Sequence, residues 1–230
     1  MPFLSALAYT LIPVLAAVSG SVYAAFRRPG PVATSAVQHF AAGVVFAAAA
    51  GELLPDLMHR KSAIATIVGG AVGIAVMLAV KAFGTRVKGP FVLVATVGVD
   101  ILIDGIVLGI GFGAGLRAGI LLTIALTAEV LFLGLSIAPE LAGERVSRGG
   151  VIGVTMALAI LLPIGAAIGL PLALVSDRLL AGFFAFGLVA LLYLVTEELL
   201  VEAHEVPERP WVTAMLFVGF LAMLVIEELA

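Results

Sequence analysis

The segment VGVDILIDGIVLGIGFG, residues 97–113, contains two aspartates in an otherwise apolar run. Asp100 and Asp104 are four residues apart, so a helix carries both carboxylates on one face. A carboxylate at the centre of a bilayer costs about 2.5–3.5 kcal/mol on insertion scales, so two of them indicate a functional constraint. The segment therefore predicts a membrane-spanning helix whose two acids face something other than lipid.

The composition of the whole chain is typical of an integral membrane protein. Of its 230 residues, 63% are hydrophobic and 12% are charged, and the mean hydropathy is +1.25. So few charges could not cover the surface of a soluble domain. The net charge of -3 argues against nucleic acid as a partner, and the absence of cysteine excludes disulfides and thiolate metal sites. The expected partner is the lipid bilayer.

Charged, proline-rich and glycine-rich breaks divide the chain into eight apolar segments, each long enough to span a bilayer. The predicted segments are residues 3–26, 34–57, 62–84, 90–113, 116–138, 149–174, 178–202 and 210–229. They predict an all-α polytopic membrane protein in which residues 1–230 form one transmembrane domain. Its parts are segments 1–3 over about 3–84, a central pair 4–5 over about 90–138, and segments 6–8 over about 149–229.

The distribution of Lys and Arg predicts the orientation. The odd-numbered loops and the helix ends beside them carry eight of these residues: Arg27, Arg28, Lys81, Arg86, Lys88, Arg145, Arg148 and Arg209. The even-numbered loops and their helix ends carry four: Arg60, Lys61, Arg117 and Arg178. Because basic loops stay in the cytoplasm, both termini are expected outside. The short loops and the lack of a recognisable targeting sequence favour the inner (plasma) membrane of a prokaryote.

Two pairs of similar motifs suggest an internal repeat. Residues 11–20 (LIPVLAAVSG) resemble residues 161–170 (LLPIGAAIGL), and residues 52–56 (ELLPD) resemble residues 198–202 (ELLVE). The separations, 150 and 146 residues, predict that segments 1–3 and 6–8 are two copies of one unit. A shift by five helices inverts the second copy, which gives a 3+2+3 inverted-repeat arrangement typical of secondary transporters. Coincidence in a low-diversity apolar sequence is the alternative.

A third buried acid, Glu129, lies in the middle of segment 5. Segments 4 and 5 are joined by a short loop, so in an antiparallel pair Glu129 lies at the depth of Asp100 and Asp104. Three carboxylates at one level repel each other unless they are protonated or bridged by a cation, and a divalent cation satisfies all three. A single buried acid can instead bind a hydroxyl group, and three are available: Thr96, Thr123 and Thr127.

Further acids lie at the ends of two other segments. Glu52 and Asp56 lie near the predicted outer end of segment 2. At the predicted inner end of segment 7 lie Glu197, Glu198, Glu202 and His204. These two groups predict acidic vestibules on either side of a central cation site, with His204 as a weak metal-binding position. The other two histidines, His39 and His59, are expected to be solvated near helix ends, and so are Glu227 and Glu228 near the end of the last segment.

Four motifs resemble the ZIP (Zrt/Irt-like protein) divalent metal transporter family. They are FAAGVVFAAAAGELLPD (residues 40–56), DILIDG (100–105), LLPIGAAIG (161–169) and YLVTEELLVEAHE (193–205), and they resemble its second, fourth, sixth and seventh helices. The resemblance covers most of the chain in the expected order. It implies eight helices in a 3+2+3 arrangement, both termini outside, and a divalent metal cation as substrate, with no tightly bound cofactor.

The chain departs from the family pattern at several ligand positions. Asp100 stands where the family has His, and Asp104 where it has Glu. Apolar residues replace the remaining family ligands: Ile101, Val130, Leu133 and Leu162. The resemblance therefore implies one metal site, formed by Asp100, Asp104 and Glu129 with oxygen ligands alone. Such a site favours manganese, ferrous iron or magnesium, although zinc also accepts carboxylates.

The sequence leaves three hypotheses for function. The first is a transporter of divalent metal cations that works by alternating access around the central acids. The second is a metal sensor or assembly subunit on the same scaffold, suggested by the missing ligands. The third is an intramembrane metal hydrolase; it is disfavoured because such enzymes mix histidine with carboxylates, so the chain is expected not to be an enzyme. The many small residues also permit a homodimer.

Overall fold

A computed structural model describes residues 3–27, 29–86, 90–143, 146–207 and 209–230. Within these residues, eight helices are long and apolar enough to cross a membrane. We number them α1 (Phe3–Tyr9 and Leu11–Phe26), α2 (Pro31–Ala48, Ala49–Leu53 and Leu54–His59), α3 (Ala63–Arg86), α4 (Pro90–Ala114), α5 (Leu116–Gly143), α6 (Arg148–Ala159 and Leu161–Leu172), α7 (Asp177–Leu194, Val195–Leu199 and Leu200–Ala203) and α8 (Pro210–Leu229). The predicted all-α membrane fold with eight spans is confirmed. Helix ends agree with the predicted ones within three residues, except that α5 continues to Gly143.

Helices α1 and α6 are each interrupted by a turn three residues before a proline. The turns are at Thr10, before Pro13, and at Ile160, before Pro163. Proline has no amide hydrogen, so the carbonyl four residues earlier loses its helical donor. In both helices that carbonyl belongs to the last residue of the first piece. Each proline therefore interrupts the hydrogen bonding of its own helix.

Helices α2 and α7 each contain a π-helical segment, Ala49–Leu53 in α2 and Val195–Leu199 in α7. In both, the first amide after the segment donates to the carbonyl five residues earlier. Single π turns inside α-helices are common at functional sites. Each segment carries a glutamate at its fourth position, Glu52 in α2 and Glu198 in α7.

Close glycine contacts join the helices in pairs. The most extensive contacts link α1 with α5, α4 with α6, α2 with α8, and α3 with α7. Between α4 and α6, Gly105 and Gly109 face Gly165 and Gly169. A Cβ atom at Gly165 would overlap the Leu102 carbonyl oxygen and lie 2.9 Å from the Gly105 Cα atom. Small residues allow this close approach of two backbones in lipid.

The pairs form two groups of four helices, α1, α4, α5 and α6 in one, and α2, α3, α7 and α8 in the other. Large apolar side chains on α3 and α8 face outward, among them Ile64, Ile67, Phe217 and Leu221. Such a surface suits contact with lipid. Helices α4 and α5 of the first group contact α2 and α7 of the second, and the candidate site lies at this boundary.

Candidate cation site

A cavity with about 80 Å³ of free volume lies between α4, α5 and α7. Five carboxylates line it: Asp100, Asp104, Glu129, Glu198 and Glu202. One water molecule needs about 10–15 Å³, so the cavity has room for several waters or a hydrated ion. The three acids that the sequence places at one depth therefore line one space, together with two acids of α7.

The two innermost carboxylates are almost completely buried. Asp104 is 3% exposed and Glu129 is 5% exposed. Among the described residues, Asp100 Oδ1 and Glu129 Oε2 are buried oxygens without a hydrogen-bond partner. No Lys or Arg belongs to the described residues that line the cavity. Buried carboxylates without a compensating group are costly, so these oxygens call for a water, a proton or a cation.

The threonine hydroxyls do not compensate these acids. Thr96, Thr123 and Thr127 each donate to a backbone carbonyl four residues earlier in their own helix, at 2.9, 2.7 and 2.6 Å. These are the ordinary local hydrogen bonds of threonine within a helix. The alternative in which each buried acid binds a threonine hydroxyl is therefore not realised.

The acids line the cavity without closing on one point. In the described part of the chain, no three carboxylate or imidazole groups lie close enough to hold a metal ion together. The cavity is thus an acid-lined vestibule in which water molecules would complete the coordination of an ion. Divalent cations such as Mg²⁺ commonly keep several waters when carboxylates bind them.

The cavity extends from the buried acids toward one end of the helices only. On α4 it runs from Asp104 back to Val97, and on α5 it runs from Glu129 forward to Ser136. Because α4 and α5 are antiparallel, these two directions lead to the same end. On α7 the lining ends at Glu202, which is exposed. Asp104 and Glu129 therefore lie at the blind end of the cavity, and Glu202 lies at its mouth.

Apolar side chains close the opposite direction. Val107 lies one turn beyond Asp104 on α4 and is 1% exposed, and Leu53 of α2 is equally buried. A Cβ atom at Gly187 of α7 would lie 3.1 Å from Val107 Cγ2 and 3.7 Å from Leu53 Cδ1. Helices α2, α4 and α7 thus meet in an apolar contact next to the acids.

Glu52 lies beyond this contact, in a different cluster. It is half-buried, and its charged neighbours are Glu227, Arg117 and Asp56. Arg117 Nη2 donates to the backbone carbonyl of Glu227 at 2.5 Å. The Glu227 carboxylate lies against Gly51, and its Oε2 is buried. The expectation of a solvated Glu227 is therefore wrong, because the end of α8 packs on the π segment of α2.

Glu197 is turned away from the cavity. Its carboxylate forms an ion pair with Lys81 at 2.6 Å, and both side chains are about half exposed. Lys81, counted above with the third loop, lies within α3, as the predicted segment 62–84 implies. Of the acids predicted at this end of α7, Glu198 and Glu202 line the cavity and Glu197 does not.

The expectation that His39 is solvated is also wrong. His39 is 3% exposed and lies well inside α2, which begins at Pro31. Its ring is 5.1 Å from that of His204, measured between centroids. Helix α7 covers this face of α2, and the sequence offers no sign of the contact because the two residues belong to distant segments.

Two adjoining spaces are lined by the apolar residues that the resemblance aligns with metal ligands: Ile101, Val130, Leu133 and Leu162. Ile101, Val130 and Leu162 line one narrow cleft with Pro13, and the cleft has no room for a water molecule. Leu133 lines the acid cavity, and Ile101 and Val130 line both spaces. One side of the acids is therefore dry and tightly packed.

Neither a family model nor a curated protein matches the chain. A candidate function therefore depends on the acids, their burial and the one-sided cavity.

Proposed function

We propose that the chain is a membrane transporter of divalent metal cations, of the manganese, iron or zinc class. Asp100, Asp104 and Glu129 form its central binding position. One observation carries the proposal: five carboxylates line a single cavity between apolar helices, and no described basic side chain lines it with them. Carboxylate oxygens suit manganese and magnesium and also bind ferrous iron and zinc.

The one-sided cavity is what alternating access requires, because a transporter must open its site to one side at a time. In the proposed path, an ion arrives at Glu52 and Asp56, binds the central acids, and leaves past Glu198 and Glu202. With the orientation expected from the loop charges, the cavity opens to the cytoplasm. The apolar contact of Leu53 with α4 and α7 then separates the ion from the outside.

Three features of the backbone support an inverted repeat. The breaks at Thr10 and Ile160 are 150 residues apart, and the two π segments are 146 residues apart. In such a repeat, helices 1, 2 and 3 correspond to helices 6, 7 and 8, and helix 4 corresponds to helix 5. The contact of α1 with α5 then corresponds to the contact of α6 with α4. In the same way, the contact of α2 with α8 corresponds to the contact of α7 with α3. These four contacts are the most extensive among the described residues, which supports a 3+2+3 inverted repeat.

The resemblance to ZIP transporters supports the same function. The positions where that family has further ligands are taken here by Ile101, Val130 and Leu162, which meet in one dry cleft. An apolar cleft cannot hold an ion, so we propose that the protein has a single central metal site.

A metal sensor or an assembly subunit is the second candidate. It is favoured by the apolar residues Ile101, Val130 and Leu162, which stand where the ZIP pattern has further metal ligands. Such a protein would bind metal without moving it. An enzyme is disfavoured because the described residues that line the cavity include no histidine, whereas metal hydrolases commonly combine histidine with carboxylates.

The test is ion influx into liposomes that contain the purified protein. Manganese, ferrous iron, zinc, cadmium and magnesium are supplied in turn, and Asp104→Asn is measured beside the native chain. We expect saturable influx of at least one ion and a loss of at least about tenfold in the variant. Asp177→Asn is the matched control because this aspartate is 88% exposed in an ion pair with Arg60, away from the cavity.

Each outcome decides between the candidates. Equal influx through the native chain and Asp104→Asn would contradict the proposed site. Metal binding that depends on Asp104 without influx of any ion would favour the sensor. If no ion binds, the acids have a structural or proton-carrying role.

A further inference from the structure

Two histidines from different helices meet beside the mouth of the acid cavity. His39 belongs to α2, and His204 directly follows α7. Their ring centroids are 5.1 Å apart, and the ring planes are inclined by 62°. His39 is 3% exposed, and its Nε2 is a buried atom with no hydrogen-bond partner among the described residues. A buried polar atom of this kind requires an explanation.

One hydrogen bond of each ring favours the same neutral tautomer. His39 Nδ1 lies 2.8 Å from the Ser35 carbonyl oxygen, and His204 Nδ1 lies 2.5 Å from the Leu200 carbonyl oxygen. A carbonyl oxygen only accepts, so Nδ1 donates in both rings and the lone pair of each neutral ring is on Nε2. Metal-binding histidines are commonly oriented in this way, with the second nitrogen held by a backbone carbonyl.

From this geometry we infer that His39 and His204 form a second cation site, for a borderline transition metal ion such as Zn²⁺, Co²⁺ or Ni²⁺. With metal–nitrogen distances of about 2.0–2.1 Å, two imidazoles on one tetrahedral ion have ring centres about 5 Å apart. The observed separation of 5.1 Å allows both Nε2 atoms to reach one ion. Imidazole nitrogen suits zinc, copper, iron and nickel, whereas magnesium and calcium prefer oxygen.

Two hydrogen bonds across the α2–α7 contact hold the pair in register. Ser35 Oγ donates to the Ala203 carbonyl oxygen at 2.7 Å, and Gln38 Nε2 donates to Glu202 Oε2 at 2.9 Å. Each bond involves a residue next to or near one of the histidines. The backbones that carry the two rings are therefore fixed relative to each other, which lowers the cost of holding an ion.

The position of the pair gives it a role in the proposed path. Glu202 lines the mouth of the acid cavity, and His204 is two residues further along the chain. An ion that leaves the central acids would meet the histidine pair next; this role rests on the proposed transport function, whereas metal binding by the pair does not. Two protein ligands hold an ion weakly, as a release site requires. The pair would also select ions that accept both oxygen and nitrogen ligands.

The test uses the full chain labelled with ¹⁵N-histidine in detergent micelles. The chain has three histidines, so its imidazole spectrum is simple and His59 is an internal reference. His59 is exposed at the opposite end of α2. On titration with Zn²⁺, the Nε2 signals of His39 and His204 are expected to shift along one common curve. The His59 signal is expected to stay in place, and Mg²⁺ is expected to shift none of the three.

Variants make the test specific to the pair. His204→Gln changes an exposed side chain, so the fold is expected to persist. It should weaken the Zn²⁺ effect on His39 at least about tenfold. His59→Gln is the matched control and should leave both signals of the pair responsive. Separate curves for His39 and His204, equal shifts of all three histidines, or no shift with Zn²⁺ would overturn the inference.

The same titration on Asp104→Asn separates this inference from the proposed function. The pair should bind Zn²⁺ in that variant as in the native chain, because its ligands are unchanged. Zn²⁺ binding by the pair without influx into liposomes would contradict transport but not the pair. Influx that depends on Asp104, without shifts at His39 and His204, would contradict the pair but not transport.

Discussion

The π segments of α2 and α7 have the same backbone and opposite surroundings. Each carries a glutamate at its fourth position. Glu198 of α7 faces the acid cavity. Glu52 of α2 lies next to Glu227 and Arg117, on the other side of the apolar contact made by Leu53. The two π segments therefore present a glutamate in the same way, and the packing of the neighbouring helices decides which of the two glutamates faces the cavity.

A difference of one residue accounts for part of this contrast. The third position of the π segment is Gly51 in α2 and Glu197 in α7. Because Gly51 has no side chain, the Glu227 carboxylate packs against it. Glu197 instead points outward and pairs with Lys81, which leaves the cavity side of α7 to Glu198.

The largest expected effect concerns water access on the two sides of Glu129. Ser136 lines the cavity, whereas Thr123 on the same helix is 2% exposed. The chain has no cysteine, so Ser136→Cys and Thr123→Cys each introduce a single reporter thiol. A membrane-impermeant thiol reagent should modify the first about 100-fold faster than the second, because the reaction requires a solvated thiolate. The measurement is the labelling rate in vesicles of both orientations. Similar rates for the two thiols would contradict a one-sided cavity.

A smaller effect is expected from removing the two π-segment charges. Glutamine keeps the size of glutamate and removes its charge. Glu198→Gln should reduce metal influx about tenfold because this carboxylate shares the cavity with the central acids. Glu52→Gln should reduce it about threefold or less, since an apolar contact separates Glu52 from those acids. Initial rates of influx into liposomes measure both. Equal losses would mean that the two glutamates contribute equally to transport, which would contradict the expected difference between Glu52 and Glu198.

The smallest expected effect comes from the contact between α8 and α2. A Cβ atom at Gly51 would collide with the Glu227 carboxylate, which is the end of a flexible side chain and can move away. Gly51→Ala should therefore loosen the closed end and raise the labelling rate of Thr123→Cys about two- to threefold by shifting the population of open molecules. The matched control is Gly153→Ala on α6, where a Cβ atom meets no atom within 4 Å. An unchanged rate in Gly51→Ala would mean that Glu227 does not help to close this end.

The spans and the central acids could be predicted because their signals are local. Twenty apolar residues indicate a span without knowledge of the fold. The four-residue spacing of Asp100 and Asp104, with the short loop before α5, places them near Glu129. The kinks follow from Pro13 and Pro163, because proline acts on its own helix.

The contacts between distant segments could not be predicted. From the sequence alone, Glu227 is expected to be solvated and His39 to lie at the membrane interface. In the structure, α8 packs on Gly51 and α7 covers His39. The π segments also lack a local signal, because Pro55 follows the one in α2 whereas α7 has Val201 at the matching position. Each of these features depends on which helices become neighbours.

The glycine contacts have a mechanical consequence. Backbones in direct contact, as at Gly105 and Gly165, leave no side chains to yield, so α4 and α6 resist bending and sliding against each other. Near the acids, side chains rather than backbones meet across the boundary between the two four-helix groups, as at Gly187 and Val107, so we expect this boundary to yield more easily. Asp104 and Glu129 lie on one side of that boundary, and Glu198 lies on the other. A displacement along the boundary would therefore separate the carboxylates from one another, and a bound ion would lose ligands through motion alone.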